Sequence, residues 1–179
     1  VTVDGVVEAC KIEAGGDLVV GKGIQGDNQA IIRSGRNVFA KYVENSCIYV
    51  KETLQTDCLI NCDVYSGGGV LVRSGRMTIM GGRIRAAREV SAGIIGSRSE
   101  CYTGVVLGGQ PCREYDYDML NREIGTLEIE LEAAKHEPES PDKLSRMGKM
   151  RMQLSINRKK LEELDREEKR AARTPPASG

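Results

Sequence analysis

Residues 72–97 read VRSGRMTIMGGRIRAAREVSAGIIGS, and two phrases inside this stretch share one form: VRSGRMTIM from Val72 and IRAAREVSA from Ile84. Each opens on a branched aliphatic residue, passes through small residues or glycine, crosses polar residues and returns to an aliphatic one. The form recurs upstream as IEAGGDLVV from Ile12 and IRSGRNVFA from Ile32, with a weaker copy, VKETLQTDC, from Val50. The heads at 12, 32, 50, 72 and 84 are separated by 20, 18, 22 and 12 residues, an imperfect period near 20. Repeats of that length, built from short alternating runs with glycine or polar corners, indicate a solenoid.

The solenoid is expected to be β rather than helical. Leu18 with Val20 and Val38 with Ala40 alternate at the strand period, the aliphatics are largely β-branched, and none of these runs shows a 3.6-residue beat. Glycines at 15–16, 67–69 and 81–82 would weaken a helix but suit corners that need positive φ. The expectation is a right-handed parallel β-helix, right-handed because parallel crossovers are. About five or six turns spaced ~4.8 Å apart would stack like side chains over like.

The tetrapeptide RSGR occurs twice, at 33–36 and 73–76. One reading is structural: the tetrapeptide recurs because one corner recurs, with Ile12, Ile32 and Val72 aligned along a common axis. The other is functional. Residues 73–98 carry Arg73, Arg76, Arg83, Arg85, Arg88 and Arg98 against one acid, Glu89. Stacked on neighbouring turns, Arg73, Arg76, Arg83, Arg85 and Arg88 would form a basic stripe for an anionic protein partner. Both readings stand at this point.

Composition divides the chain near residues 110–113. Residues 1–112 hold 18 of the 21 glycines, whereas 113–173 hold 29 charged residues in 61. The expected parts are a parallel β-helix over 1–112, an antiparallel α-helical coiled-coil hairpin over 113–173 and a disordered tail, TPPASG, over 174–179. In the hairpin, Tyr117, Leu120, Ile124, Leu127, Leu131 and Ala134 follow steps of three and four. A second seam runs through Met147, Met150, Leu154, Asn157, Leu161 and Leu164. Pro138 and Pro141 mark the break, with Asp142 as the expected N-cap. Folding at residues 140–141 sets Ala134 near Met147 and Tyr117 near Leu164. Residues 114–132 carry seven acids and one base, and 143–173 carry eleven bases and five acids, a charge pattern that favours pairing of the two helices with each other.

Several chemistries find no constellation. Net charge is zero, so no global field recommends nucleic acid or membrane. No run approaches the ~18 apolar residues of a membrane-spanning helix. The single histidine, His136, falls in the interhelical loop, away from any group that could orient it for acid–base work. Cys58 and Cys62 are expected on one side of a strand, but no CxxC pair or ligand histidine accompanies them, and reduced buried thiols are the expectation. The runs SGGGV and MGGRI lack a following Lys-Ser/Thr and do not make a phosphate loop. No catalytic, cofactor or metal site is expected. Six cysteines without a signal-like segment point to a reducing, cytoplasmic setting.

The succession IEAGGDLVVGKGIQG, then GGRIRAAREVSAGIIGS over 81–97 and TGVVLGG, followed by a charged hairpin, resembles the flagellar assembly protein A family of bacteria. The resemblance covers essentially the whole chain. It implies a right-handed β-helix with a C-terminal coiled coil, no catalysis, and action through protein contacts. A homo-oligomer is a separate expectation, from the hairpin itself: Ala134, Met147 and Met150 leave its seam thin, and dimerisation through this region would complete it. Family members usually carry a further N-terminal domain, and a chain beginning at Val1 inside the ladder reads as a piece of such a protein. VRSGR and GGRIRA are also similar to the C-terminal β-helix of the Min-system cell-division inhibitor, which binds a membrane-associated ATPase and lacks the hairpin. That resemblance gives the alternative function.

Overall fold

The computed structural model describes residues 1–98 and 101–173. Its strands are β1 (Thr2–Val3), β2 (Val7–Glu8), β3 (Lys11–Ala14), β4 (Leu18–Ser34), β5 (Val38–Val50), β6 (Leu54–Thr56), β7 (Cys58–Ser66), β8 (Gly69–Val72), β9 (Thr78–Ala86), β10 (Glu89–Ser91), β11 (Ile94–Ile95) and β12 (Thr103–Leu107). Two helices follow, α1 (Pro111–Lys135) and α2 (Pro141–Arg173). The chain divides into two compact units, Val1–Cys112 and the part from Arg113 onward. The tail expected to be disordered, 174–179, lies outside the described residues.

The first unit is a parallel β-solenoid of about five turns. Every strand pairing in it is parallel, and the register draws three columns of inward aliphatics. One column runs Ile12, Ile32, Ile48, Val64, Ile84, Val105. A second runs Val7, Ile24, Val43, Leu59, Ile79, Ile95, and a third Leu18, Val38, Leu54, Val70, Val90. Ile32, Ile48, Val64 and Ile84 are fully buried, as are Ile24, Val43, Leu59 and Ile79. Each such side chain removed from water contributes about 1.5–3 kcal/mol before chain entropy is charged against it.

The register corrects the sequence alignment. Ile12, Ile32 and Ile84 do share a column, but Val72 stands over Thr56 on another face, and Val50 lies over Ser34. The column through Ile12 advances by 20, 16, 16, 20 and 21 residues, so the basic turn has 16. Four extra residues enter the second turn, where the register shifts between Val20 and Gly23 and again between Gln25 and Ala30. Four more enter the fifth, where five residues separate Val72 from Thr78 while Asp57 alone separates Thr56 from Cys58.

Accordingly, the two RSGR copies occupy different corners. Ser34 is buried in the corner between β4 and β5; its hydroxyl donates to Gly16 O at 2.7 Å, with Asn37 O at 3.0 Å, and accepts the Arg36 N–H at 3.3 Å. Its structural equivalent is Ser66, two 16-residue turns later, not Ser74. Ser74 and Gly75 lie in the excursion of the fifth turn with φ of +80° and +55°.

The corner glycines are required for more than one reason. A Cβ on Gly35 would sit 2.2 Å from Gly15 O, and one on Gly67 would sit 2.3 Å from Lys51 O, so close approach of the preceding turn excludes a side chain. Positive φ falls at another corner, on Ala9, Asn45, Asn61 and Gly81 at +37°, +46°, +50° and +72°. Asparagine tolerates that region because its short polar side chain bonds locally. Of the glycines expected to supply positive φ, only Gly81 and Gly82 do so.

Helix α1 starts on Pro111, where the missing N–H is no loss, and from Arg113 onward it belongs to the second unit. The cap of α2 is Ser140 rather than Asp142: Ser140 Oγ accepts the Lys143 N–H at 3.1 Å, Pro141 opens the helix, and Asp142 lies in its first turn. Lys143, 8% exposed, donates from Nζ to Lys135 O and Glu137 O and so neutralises the C-terminus of α1. Along the helices Ala134, Met147 and Asn157 are buried. Asn157 Nδ2 donates to Glu123 Oε2 at 3.0 Å, Arg158 to Glu128 Oε1 at 2.7 Å, and Arg113 to Leu164 O at 2.9 Å.

Candidate protein-binding surface

Because inward and outward residues alternate, each inward column has outward columns beside it. Beside Ile32, Ile48, Val64 and Ile84 runs Arg33, Tyr49, Tyr65, Arg85. The Arg33 guanidinium lies 4.2 Å from the centre of the Tyr49 ring, and that of Arg85 4.9 Å from the Tyr65 ring. Two tyrosines on successive turns thus carry an arginine at either end. Arg85 Nη1 is buried without a hydrogen-bond partner, and the ring face of Tyr65 supplies the favourable field instead.

Arg83 stands two residues before Arg85 on β9, exposed and in register with Asp63. Arg88 begins the next corner; its N–H donates to Gly68 O at 2.9 Å and its side chain is exposed. Arg73 and Arg76 are elsewhere, in the excursion that leads from β8 to β9: Arg73 N–H donates to Thr56 O at 2.9 Å, and Arg76 O accepts the Thr78 hydroxyl at 2.8 Å. The fold therefore brings Arg83 and Arg85 together, with Arg88 at the following corner, and assigns Arg73 and Arg76 to a different corner. The five do not form one stripe.

Sequence reasoning missed Tyr49 and Tyr65 as members of the arginine face. The signal was present, since they lie one basic turn of 16 residues apart. It also missed the corner network around Arg36, where Asp17 Oδ1 accepts from both Asn37 N and Nδ2 at 3.0 Å, and Asn37 Oδ1 accepts the Thr53 N–H at 3.1 Å. Arg36 pairs there with Asp17 at 3.8 Å and Glu52 at 3.7 Å, so this arginine closes a corner of three turns. The Asn37 N–H and amide, with Arg36, hold the Asp17 carboxyl below its ordinary range.

The cysteines do not converge. Cys58 and Cys62 lie on opposite sides of β7, because the left-handed Asn61 between them resets the alternation: Cys58 is half-buried, and Cys62 is fully buried with its Sγ 3.3 Å from Val43 O. Burial pushes the Cys62 thiol up to about 12, which leaves it protonated at neutral pH and poor as nucleophile or ligand. Among the described residues no three His, Cys, Asp or Glu side chains are grouped to hold a metal. No helix among them is long and apolar enough to cross a membrane.

A family model described as the Flagellar Assembly Protein A beta solenoid domain matches residues 1–174. No curated protein and no solved structure gives a significant match.

Proposed function

This chain belongs to the Flagellar Assembly Protein A β-solenoid family, and from that membership we propose that it is a non-enzymatic bacterial scaffold, cytoplasmic, that works through protein contacts in flagellar assembly or its regulation. The family match across 174 residues carries the reading. The solenoid supports it by presenting an exterior on which exposed Arg83, and Arg85 braced by Tyr65, offer cationic groups two residues apart on one strand, with Arg88 at the following corner. Preset arginines of this kind cost little entropy on docking to an acidic protein surface.

We further propose that α1 and α2 form an antiparallel coiled-coil hairpin. The bonds from Lys143 to Lys135 O, from Asn157 to Glu123 and from Arg113 to Leu164 O support it, since the partner falls back along α1 as the position advances along α2. A buried asparagine in such a seam lowers stability and fixes alignment.

The alternative reading is a Min-type division or placement regulator that binds a membrane-associated ATPase through the same arginine face. Pull-down with a purified ATPase of that class, using the chain with and without Arg83→Glu, Arg85→Glu and Arg88→Glu, separates the two. Capture by the wild type that falls roughly tenfold or more in the triple variant favours the ATPase. Capture of a flagellar component, with no ATPase binding, favours the scaffold. Recovery of neither class from the host removes both.

A further inference from the structure

The seam between α1 and α2 is incompletely covered. Ala134, Met147 and Asn157 are buried, but Ile124, Leu127, Leu131 and Leu154 are only half-buried. Along one flank of the seam lies an opening lined by Arg122, Glu123, Thr126, Leu127, Gln153 and Asn157. Asn157 donates to Glu123 there and accepts from Gln153 Nε2 at 2.9 Å, so its amide asks for no further partner.

Two ridges border this opening. On α1, Glu123, Thr126 and Glu130 follow one another at steps of three and four, as Lys149, Gln153, Ile156 and Lys160 do on α2. All seven are exposed, Ile156 by 36%. The first ridge is acidic and the second basic. Among the described residues Glu130, Lys149 and Lys160 have no ion-pair partner. The opposite flank differs. Glu128 and Arg158 each follow Glu123 and Gln153 by roughly 140° round their helices, and they pair with each other at 2.7 Å. Charge is thus matched within the chain on one flank and left unmatched on the other.

We propose that the unmatched flank is a homodimer interface, in which two hairpins stack as a four-helix bundle about a two-fold axis parallel to the helices. This rests on the antiparallel pairing of α1 with α2 proposed above and is independent of the arginine face. The charge pattern selects both the occupant and the axis. Rotation about an axis parallel to the helices sets α1 of one copy on α2 of the other, acidic ridge on basic ridge, twice over. An axis across the helices would set α1 on α1, acid against acid. A second copy needs no charge from elsewhere, because one flank carries both signs. The rotation also keeps every residue at its own level, and the bonds from Lys143 to Lys135 O and from Asn157 to Glu123 give the levels. Counted from them, Lys149 of one copy faces Glu130 of the other, and Ile156 meets the opening at the level of Glu123.

The experiment is sedimentation equilibrium with native mass spectrometry on the full 179-residue chain over a range of concentrations. The wild type is expected to reach twice 19.5 kDa reversibly. Lys149→Glu sets acid on acid and Glu130→Lys sets base on base, so each alone should dimerise roughly tenfold more weakly. An equimolar mixture of the two should recover a heterodimer of wild-type strength. Repair in trans is the decisive readout, since repulsion inside one hairpin is not relieved by mixing. Circular dichroism and hydrogen exchange report the hairpin separately. A wild-type monomer whose α1 and α2 amides are protected at every concentration overturns the dimer and leaves the hairpin standing. So does a dimer indifferent to Lys149→Glu, or a mixture that recovers no heterodimer. Unprotected helices in the wild type overturn the hairpin, and the dimer with it.

Discussion

Ser34 and Ser66 occupy the same corner two turns apart, and each hydroxyl reaches back to a carbonyl of the preceding turn, Ser34 to Gly16 O at 2.7 Å and Ser66 to Glu52 O at 2.8 Å. Each also accepts an N–H from two residues ahead, Arg36 at 3.3 Å and Gly68 at 3.2 Å. The side chain thus joins one turn to the next where the strands bend and the backbone ladder is interrupted.

Ser66 is fully buried, so Ser66→Ala strands a carbonyl and an N–H and should cost about 1–3 kcal/mol. Gly67→Ala should cost as much by forcing the Lys51 carbonyl away. Ser74→Ala and Gly15→Ala are the matched controls: Ser74 is exposed, and a Cβ on Gly15 meets nothing within 4 Å. Chemical denaturation of the four variants checks the difference.

The duplicated RSGR shows why that corner was misassigned in the sequence. A tetrapeptide encodes local turn preference, but which corner it serves depends on how many residues the turn before it holds. The additions after Val20, after Gln25 and after Val72 hid the 16-residue beat that Tyr49 and Tyr65 keep. By contrast, the aliphatic alternation around Ile32 and Ile84 was legible, because a column of buried branched residues tolerates little else. The arginine face was legible only as a cluster of charge. Register, not composition, separates Arg83 and Arg85 from Arg73 and Arg76.

Thiol chemistry should discriminate the cysteines. Cys62 is buried and protonated, so it should react with an aromatic disulfide reagent only at the rate of unfolding, while exposed Cys101 reacts in the native state. Mass spectrometry of partially labelled protein checks this. Native labelling of Cys62 as fast as Cys101 would show that the β7 corner opens.

Asp17 has a depressed carboxyl, held down first by the Asn37 N–H, so its contribution is present above the unfolded carboxyl value of ~3.9 and disappears as pH falls through the lower folded value. Asp17→Asn keeps an acceptor at the position but loses the charge. The thermal midpoint of the wild type should exceed that of Asp17→Asn near neutrality, and the gap should narrow as pH drops below ~4. A gap that widens in acid contradicts the corner network.

At the start of α2, Ser140→Ala should cost about 1 kcal/mol of stability, the usual loss on removing a serine cap. Asp142→Ala should cost less, about 0.3–1 kcal/mol, because it interacts with the helix dipole alone. Denaturation followed by circular dichroism at 222 nm checks the order. A larger loss for Asp142→Ala would return the cap to that residue.

The stacking register is tested most directly by cross-strand backbone nuclear Overhauser effects in isotopically labelled protein. The account predicts connectivities from Arg33 to Tyr49, from Tyr49 to Tyr65 and from Tyr65 to Arg85, one turn at a time. Connectivities from Arg33 to Arg73, the alignment that the repeated tetrapeptide suggests, would contradict it.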